Sequence, residues 1–240
     1  MSKPQQLTFP WNKPNKSTFD EFYFDKNNLA IKDILLSEED LFLYGVEQTG
    51  KSFLLQSACN HLALKEKPSL YVPIKEVKQY GSGFIESLDQ LNLICIDDVD
   101  LISSDQEWEI ALFNLINNCF SSNCRIIFCS SINPSNINFK LKDLISRLRK
   151  IDHVELMPVK EDKLPEAIKF IANLRSINLG DKEIKYLLTY SDRSMSSLID
   201  AINKLDDLSM QLKRKIIIFF ISENLKKMVL IRNDGHIGFI

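Results

Sequence analysis

Residues Gly45-Val46-Glu47-Gln48-Thr49-Gly50-Lys51-Ser52 match G-x-x-x-x-G-K-[ST] with no departure, and this octapeptide constrains the fold more than any other feature of the chain. Gly45 and Gly50 let the backbone curl so that successive N–H groups converge on an anion. A helix opening near Lys51 adds the positive end of its dipole. The Lys51 ammonium then reaches β- and γ-phosphate oxygens, the Ser52 hydroxyl takes a place on Mg²⁺, and Thr49 lies among the nucleotide contacts. The chain holds only 7 glycines. Average usage of about 7% gives roughly 17, so a chance match, on the order of one in a hundred chains at average composition, is rarer still here.

The motif requires a strand before it and a helix after it. Leu41–Tyr44 is a short apolar run, and residues 51–64 repeat apolar side chains at helical spacing. Further short runs follow at Ser69–Pro73, 93–96, 125–129 and, more weakly, 153–156, with a helical pattern over 107–120. Short buried runs alternating with amphipathic helices predict an α/β fold, a parallel sheet covered by helices on both faces. After Pro158 the texture becomes helical. Leu164, Ala167, Ile168, Ile171 and Leu174 form one stripe, Ile184, Leu187 and Leu188 a shorter one, and Met195, Leu198, Ile199, Ile202 and Leu205 a third. A further helix is expected over 215–225. The expected organisation is an extended tail (1–17, three prolines), a nucleotide-binding core (18–158), a small C-terminal helical domain (159–228) and a terminal tail (229–240).

The run 93–96 delivers Asp97 and Asp98 at its C-terminal edge, where parallel sheets bind ligands. Asp97 suits Mg²⁺ held through water or Ser52, and Asp98 suits orienting or deprotonating an attacking water. Asp98 is one methylene shorter than the glutamate many such ATPases use, which favours slow turnover. The fourth run ends in Ser130 and Ser131, either a contact to the γ-phosphate or water, or a plain strand-to-loop transition. Arg147 follows in a helical segment, where spacing alone reads it as a solvated charge. Arg193 begins the long amphipathic helix, where a cation is mildly unfavourable; it is either a surface residue or one that meets a phosphate across a cleft.

Other classes are excluded. The formal net charge of −2 gives no global basic field for nucleic acid or anionic membrane. The longest apolar run, 216–221, falls far short of the roughly 20 residues of a spanning helix. The first residues lack an apolar signal region, and the five cysteines form no CxxC pair, so reduced, buried thiols in a cytoplasmic protein are expected. The three histidines are scattered without metal-ligand spacing.

A glycine-loop core, an acidic second motif, an arginine after the last strands and a helical lid together resemble the AAA+ ATPases. More narrowly the chain looks like the DnaA branch. Thr18-Phe19-Asp20-Glu21-Phe22 resembles the segment that helps form that branch's adenine pocket, which implies a base contact from Phe19. Ser146-Arg147-Leu148 looks like its arginine-finger segment, and Arg193 falls where its lid sensor arginine does. Glu107-Trp108-Glu109-Ile110-Ala111-Leu112-Phe113-Asn114-Leu115 is similar to the Hda proteins, the DnaA-related factors of regulatory inactivation. The resemblance spans residues 18 to about 228. Ser131-Ile132 departs from the Asp-Arg that relatives tend to carry, and no Trp-Gly follows Arg149.

The resemblance extends to the tail. Gln6-Leu7-Thr8-Phe9-Pro10-Trp11 resembles the Hda clamp-binding motif, with Trp11 in place of the usual leucine. Such a peptide docks extended, Gln6 hydrogen-bonded and Leu7, Phe9 and Trp11 filling pockets. No helix-turn-helix domain follows the core, so direct sequence-specific DNA binding is not expected. What the resemblance implies is a negative regulator of replication initiation. It would bind ADP or ATP with Mg²⁺, dock on the DNA polymerase III beta sliding clamp, and insert Arg147 in trans to stimulate hydrolysis of DnaA-bound ATP. A homo-oligomer is compatible with an arginine acting in trans. The alternative is an autonomous helicase-loading or remodelling ATPase of the DnaC type, acting on DNA.

Overall fold

The computed structural model describes residues 17–212, with side chains through residue 207. The motif at 6–11 (Gln6, Leu7, Phe9, Pro10, Trp11), the helix expected over 215–225 and the tail 229–240 lie outside the described residues.

Each run expected to form a strand does so: β1 (Leu41–Tyr44), β2 (Ser69–Pro73), β3 (Leu93–Asp97), β4 (Arg125–Ser130) and β5 (Asp152–Glu155). They make one parallel sheet in the order β2-β3-β4-β1-β5. The weak run is β5, an edge strand with only Val154 partly buried, which explains its faint apolar signal. Five helices accompany the sheet: α1 (Leu29–Leu36), α2 (Lys51–Ala63), the single turn α3 (Ile74–Val77), α4 (Gln106–Ser122) and α5 (Lys142–Leu148).

Strand alternation divides the core in two. Phe42, Ile94, Ile96, Ile126 and Phe128 point to one face and pack on Leu112 and Leu115 of α4 and Leu144 and Leu148 of α5. Their neighbours Leu41, Leu43, Cys95, Ile127 and Cys129 point to the other, against Leu54, Leu55 and Ala58 of α2 and Ile31 and Leu35 of α1. Burial on both faces is why these strands read as continuous apolar runs. All five cysteines are buried free thiols.

Two carboxylates, one buried and one half-buried, tie this core together. Glu109, 1% exposed, accepts backbone N–H groups from Ser104 (2.7 Å), Lys140 (2.8 Å) and Leu141 (2.7 Å). It thereby bolts α4 to the loop that launches α5. Glu109→Ala strands those three donors inside the protein, so a loss of about 3 kcal/mol of stability is expected. For a chain of this size that lowers Tm by roughly 6–12 °C in calorimetry; a drop of a degree or less would mean that water repairs the site.

Asp40, just before β1, accepts the Ile126 N–H at 2.8 Å. Burial pushes its carboxyl above the ordinary carboxylate value, against the opposing pull of that hydrogen bond and of Arg125. A raised folded pKa favours folding below the unfolded pKa and loses that contribution as pH rises through the folded value. Asp40→Asn keeps an acceptor oxygen and cannot ionise. Its Tm should exceed wild type at pH 7 by about 1–2 °C, with the gap closing below about pH 4. A gap that is constant with pH would exclude ionisation as its cause.

The C-terminal helices are α6 (Leu164–Leu174), α7 (Asp181–Tyr190) and α8 (Met195–Leu212). They form their own core from Leu164, Ile168, Ile171, Ile184, Leu187, Leu198 and Ile202, the apolar stripes seen in the sequence. One boundary differs from expectation. Arg193 does not begin α8: Ser194 caps that helix, its Oγ accepting the Ser197 N–H at 3.3 Å, which leaves Arg193 in the preceding bend. Two residues near the N-terminus hold the approach to this small domain, Asn28 on the core side and Tyr23 on the small domain itself. The Asn28 amide pairs with the Met157 backbone in both directions (2.8 and 3.2 Å). The Tyr23 hydroxyl donates to Glu166 at 3.2 Å, and its ring lies 5.7 Å from that of Phe170.

Candidate functional site

Between β1 and α2, residues 45–50 form a loop that the glycines make feasible. A Cβ on Gly45 would collide with the Leu156 carbonyl oxygen just past β5, and Gly50, at φ +94°, lies so close to Phe22 that a Cβ would sit 2.6 Å from its ring. Gln48 also adopts a left-handed φ of +64°. The Thr49 hydroxyl donates to the Val46 carbonyl at 3.0 Å, closing the turn from within. Lys51 opens α2 and is 7% exposed. Its ammonium donates to the Gly45 and Val46 carbonyls, both at 2.8 Å, and so lies across the loop.

The loop borders a cleft of about 550 Å³. Around the loop it is polar, lined by Lys51, Ser52, Lys75, Asp98, Asp100 and Ser131; the side formed by the small domain is apolar, with Val159, Ile171, Met195 and Ile199, and Phe22 packs against Gly50 of the loop itself. The Ser196 hydroxyl, at the start of α8, donates to the Gln48 side chain at 2.8 Å, a direct bond between the phosphate-type loop and the small domain. A cleft that is cationic and N–H-rich at one end and apolar at the other suits a nucleoside phosphate, with phosphates at the loop and the base toward the small domain.

Asp97 and Asp98 end the third run in different environments. Asp97 is 2% exposed and does not line the cleft. Its Oδ1 accepts the Asp98 N–H at 3.0 Å, and its Oδ2 accepts the Tyr71 hydroxyl of β2 at 2.7 Å. Burial and the Asp97 charge push the Tyr71 phenol well above its ordinary value, so it remains a donor. Asp98 takes a left-handed backbone (φ +55°) that turns it into the cleft. Burial, then the neighbouring Asp97 and Asp100 charges, raise its carboxyl above the usual carboxylate value, against Lys51 and Lys75. Hydroxyl and carboxylate oxygens at Ser52 and Asp97 make a donor set that suits Mg²⁺, a hard cation that keeps several waters. Ser52 would hold it and Asp97 would act through water; the ion would supply neutralising charge to the phosphates.

Three expected residues are placed elsewhere. Ser130 is fully buried and its Oγ accepts the Ile132 N–H at 3.1 Å; the next residue, Ser131, lines the cleft and donates to Asp100 at 3.3 Å. β4 ends at Ser130, so Ser131 already belongs to the bend beyond the strand, where its hydroxyl takes a different side. Phe19 is buried in the core, edge-on to His61 at 6.2 Å, while its neighbours Glu21, Phe22 and Tyr23 line the cleft. Arg193 is held by Glu161 at 3.2 Å in an exposed pair and does not reach the cleft. Arg147 stands exposed on α5, outside the cleft, at the flank of the stripe formed by buried Leu144 and Leu148. Arg125, Arg175 and Arg193 bond to neighbours, whereas the Arg147 and Arg149 guanidiniums make no hydrogen bond or ion pair among the described residues.

Lys75, Asp100, Ser196 and Tyr71 carried no signal in the sequence, since each reaches the site across a tertiary contact. Phe22 did lie inside the segment 18–22, three residues beyond Phe19.

Comparison with known proteins gives consistent results. A family model described as "Bacterial DnaA ATPAse domain" matches residues 15–151, and one described as "Hda, lid domain" matches residues 160–225. An uncharacterized protein of Haemophilus influenzae is 28% identical over 225 residues, covering 91% of this chain and 97% of that protein. Domain III of the Thermotoga maritima replication initiation protein DnaA superposes with a TM-score of 0.74 at 20% identity, over 88% of this chain and 96% of that one. AMPPCP-bound DnaA from Aquifex aeolicus gives 0.68 at 22% identity; the match covers 81% of this chain and 66% of that longer one.

Proposed function

We propose a function that starts from a premise of kinship: the chain belongs to the bacterial DnaA ATPase-domain family, as a DnaA-related AAA+ protein with an Hda-type lid. It is a nucleotide-binding regulator of replication initiation that acts on DnaA. ADP or ATP, with Mg²⁺, occupies the cleft beside Lys51 and fixes the angle between core and lid. The bond from Ser196 to Gln48 and the Tyr23 contacts to Glu166 and Phe170 would transmit that setting. With the protein docked on the DNA-loaded sliding clamp through residues 6–11, its core meets ATP-bound DnaA. The initiator then passes to its ADP form.

The observation that carries this reading is Arg147, exposed on a bolted helix, outside its own cleft and without a partner among the described residues. A guanidinium so placed is available to a neighbouring molecule's γ-phosphate, where it stabilises the charge of phosphoryl transfer. Asp98 sits by its own cleft as a short-armed base, consistent with little turnover at home.

The test mixes the protein with DNA-loaded clamp and ATP-bound DnaA and follows ADP formation. Wild type should accelerate it, and a Gln6/Leu7/Phe9 triple alanine variant should lose clamp binding and most of the acceleration. Intrinsic, DNA-stimulated turnover with no effect on DnaA would instead favour the helicase-loading class.

A further inference from the structure

Behind the polar end of the cleft, one tyrosine joins residues that the motifs alone treat separately. Tyr71 lies on β2, whose register pairs it with Cys95 and pairs Pro73 with Asp97. Residues 71 and 73 share a face, so the long phenol spans two positions along the strands to reach Asp97. Its hydroxyl donates to Asp97 Oδ2 at 2.7 Å, with Ser52 and Gln56 of α2 beside it. Asp97 Oδ1 is already bonded to the Asp98 N–H. Both oxygens of the carboxylate are therefore engaged, and the carboxylate is set back from the cleft that Ser52 lines.

We propose that Tyr71 is a positioning residue that sets how far nucleotide binding depends on Mg²⁺: by holding Asp97 Oδ2 it presents Ser52, rather than the carboxylate, to a cation carried by the nucleotide. This rests on the nucleotide-binding reading above. A carboxylate oxygen that accepts a hydrogen bond from a phenol has one lone pair committed and its charge partly offset, so it attracts metal-bound water less strongly. Affinity in the wild type then comes mainly from the loop N–H groups and Lys51, and the divalent cation adds little. Tyr71→Phe keeps the ring and its packing but takes the phenol donor from Oδ2, leaving the Cys129 thiol as the remaining side-chain donor to that carboxylate, which makes the cation's contribution larger.

The experiment titrates a fluorescent N-methylanthraniloyl ADP into the purified full chain, once with Mg²⁺ and once with EDTA, and takes the ratio of the two affinities. Tyr71→Phe is expected to widen that ratio roughly fivefold or more, equivalent to about 1 kcal/mol. A structural role alone would shift both affinities equally and leave the ratio unchanged, which overturns the proposal. Ser52→Ala supplies a second reading that does not depend on the tyrosine variant folding. It should erase what Mg²⁺ dependence the wild type has, and retention of the full ratio would mean that Asp97 meets the cation directly, against the proposal. Absence of binding in both buffers by the wild type overturns this inference together with the nucleotide-binding reading; binding with an unchanged ratio overturns this inference alone.

Discussion

Arg147→Ala is expected to abolish the stimulation of DnaA-bound ATP hydrolysis while leaving the fold, nucleotide retention and clamp binding of the protein intact. The size of the effect follows from the chemistry: an arginine supplied in trans to a transferring phosphoryl group contributes about 10³–10⁵ in rate. The fold should tolerate the change because Arg147 is exposed and unpaired among the described residues, and such surface substitutions usually lie within about 0.5 kcal/mol of neutral. What holds the side chain in place is elsewhere, in the burial of Leu144 and Leu148 and the Glu109 bolt at the start of α5. Arg147→Lys keeps the charge without the planar fork, so it should recover only a small part of the activity. Arg149→Ala, on the turn after the same helix, serves as a neighbouring charge control and should retain most of it. Should Arg147→Ala stimulate as well as wild type, the finger role is excluded.

Lys51→Ala is expected to reduce ADP and ATP affinity by about 100-fold or more, close to 3 kcal/mol. The ammonium lies across the loop, bonded to two of its carbonyls, and beside the cleft's polar end. Alanine removes both that cross-brace and the charge that would meet the phosphates, so enthalpy and loop preorganisation are lost together. Nucleotide should fail to co-purify, and titration should confirm the weakened binding. Affinity within about threefold of wild type, less than 1 kcal/mol, would place the phosphates away from this loop.

Much of the core is legible in the amino-acid sequence. A strand buried on both faces must be apolar at nearly every position, so Leu41–Tyr44 and the runs behind β3 and β4 stand out against polar loops, whereas the edge strand β2 is fully buried only at Val72 and Pro73. The lid helices are equally visible, because a helix buried on one side repeats its apolar residues every three or four positions, as Leu164, Ile168 and Ile171 do. Short elements are not. α3 is a single turn and carries no period, and the cap that moves the start of α8 from Arg193 to Met195 depends on the orientation of the Ser194 hydroxyl.

The candidate site divides along the same line. By itself the sequence determined the phosphate-type loop and its order relative to a strand and a helix, because glycine geometry and one lysine at fixed spacing act within eight consecutive residues. It determined that two carboxylates stand at the end of β3, since the run's length locates that edge. Only the tertiary structure decided which neighbour faces the cleft: Ser131 and not Ser130, Phe22 and not Phe19, Asp98 and not Asp97. In each case a step of one to three residues along the chain becomes a difference of face in space. Only the tertiary structure brought Tyr71 to Asp97, Glu109 to Leu141 and Ser196 to Gln48, over 26, 32 and 148 positions. Local spacing encodes what neighbouring residues do together, whereas a hydrogen bond between distant side chains exists only once packing has fixed both partners.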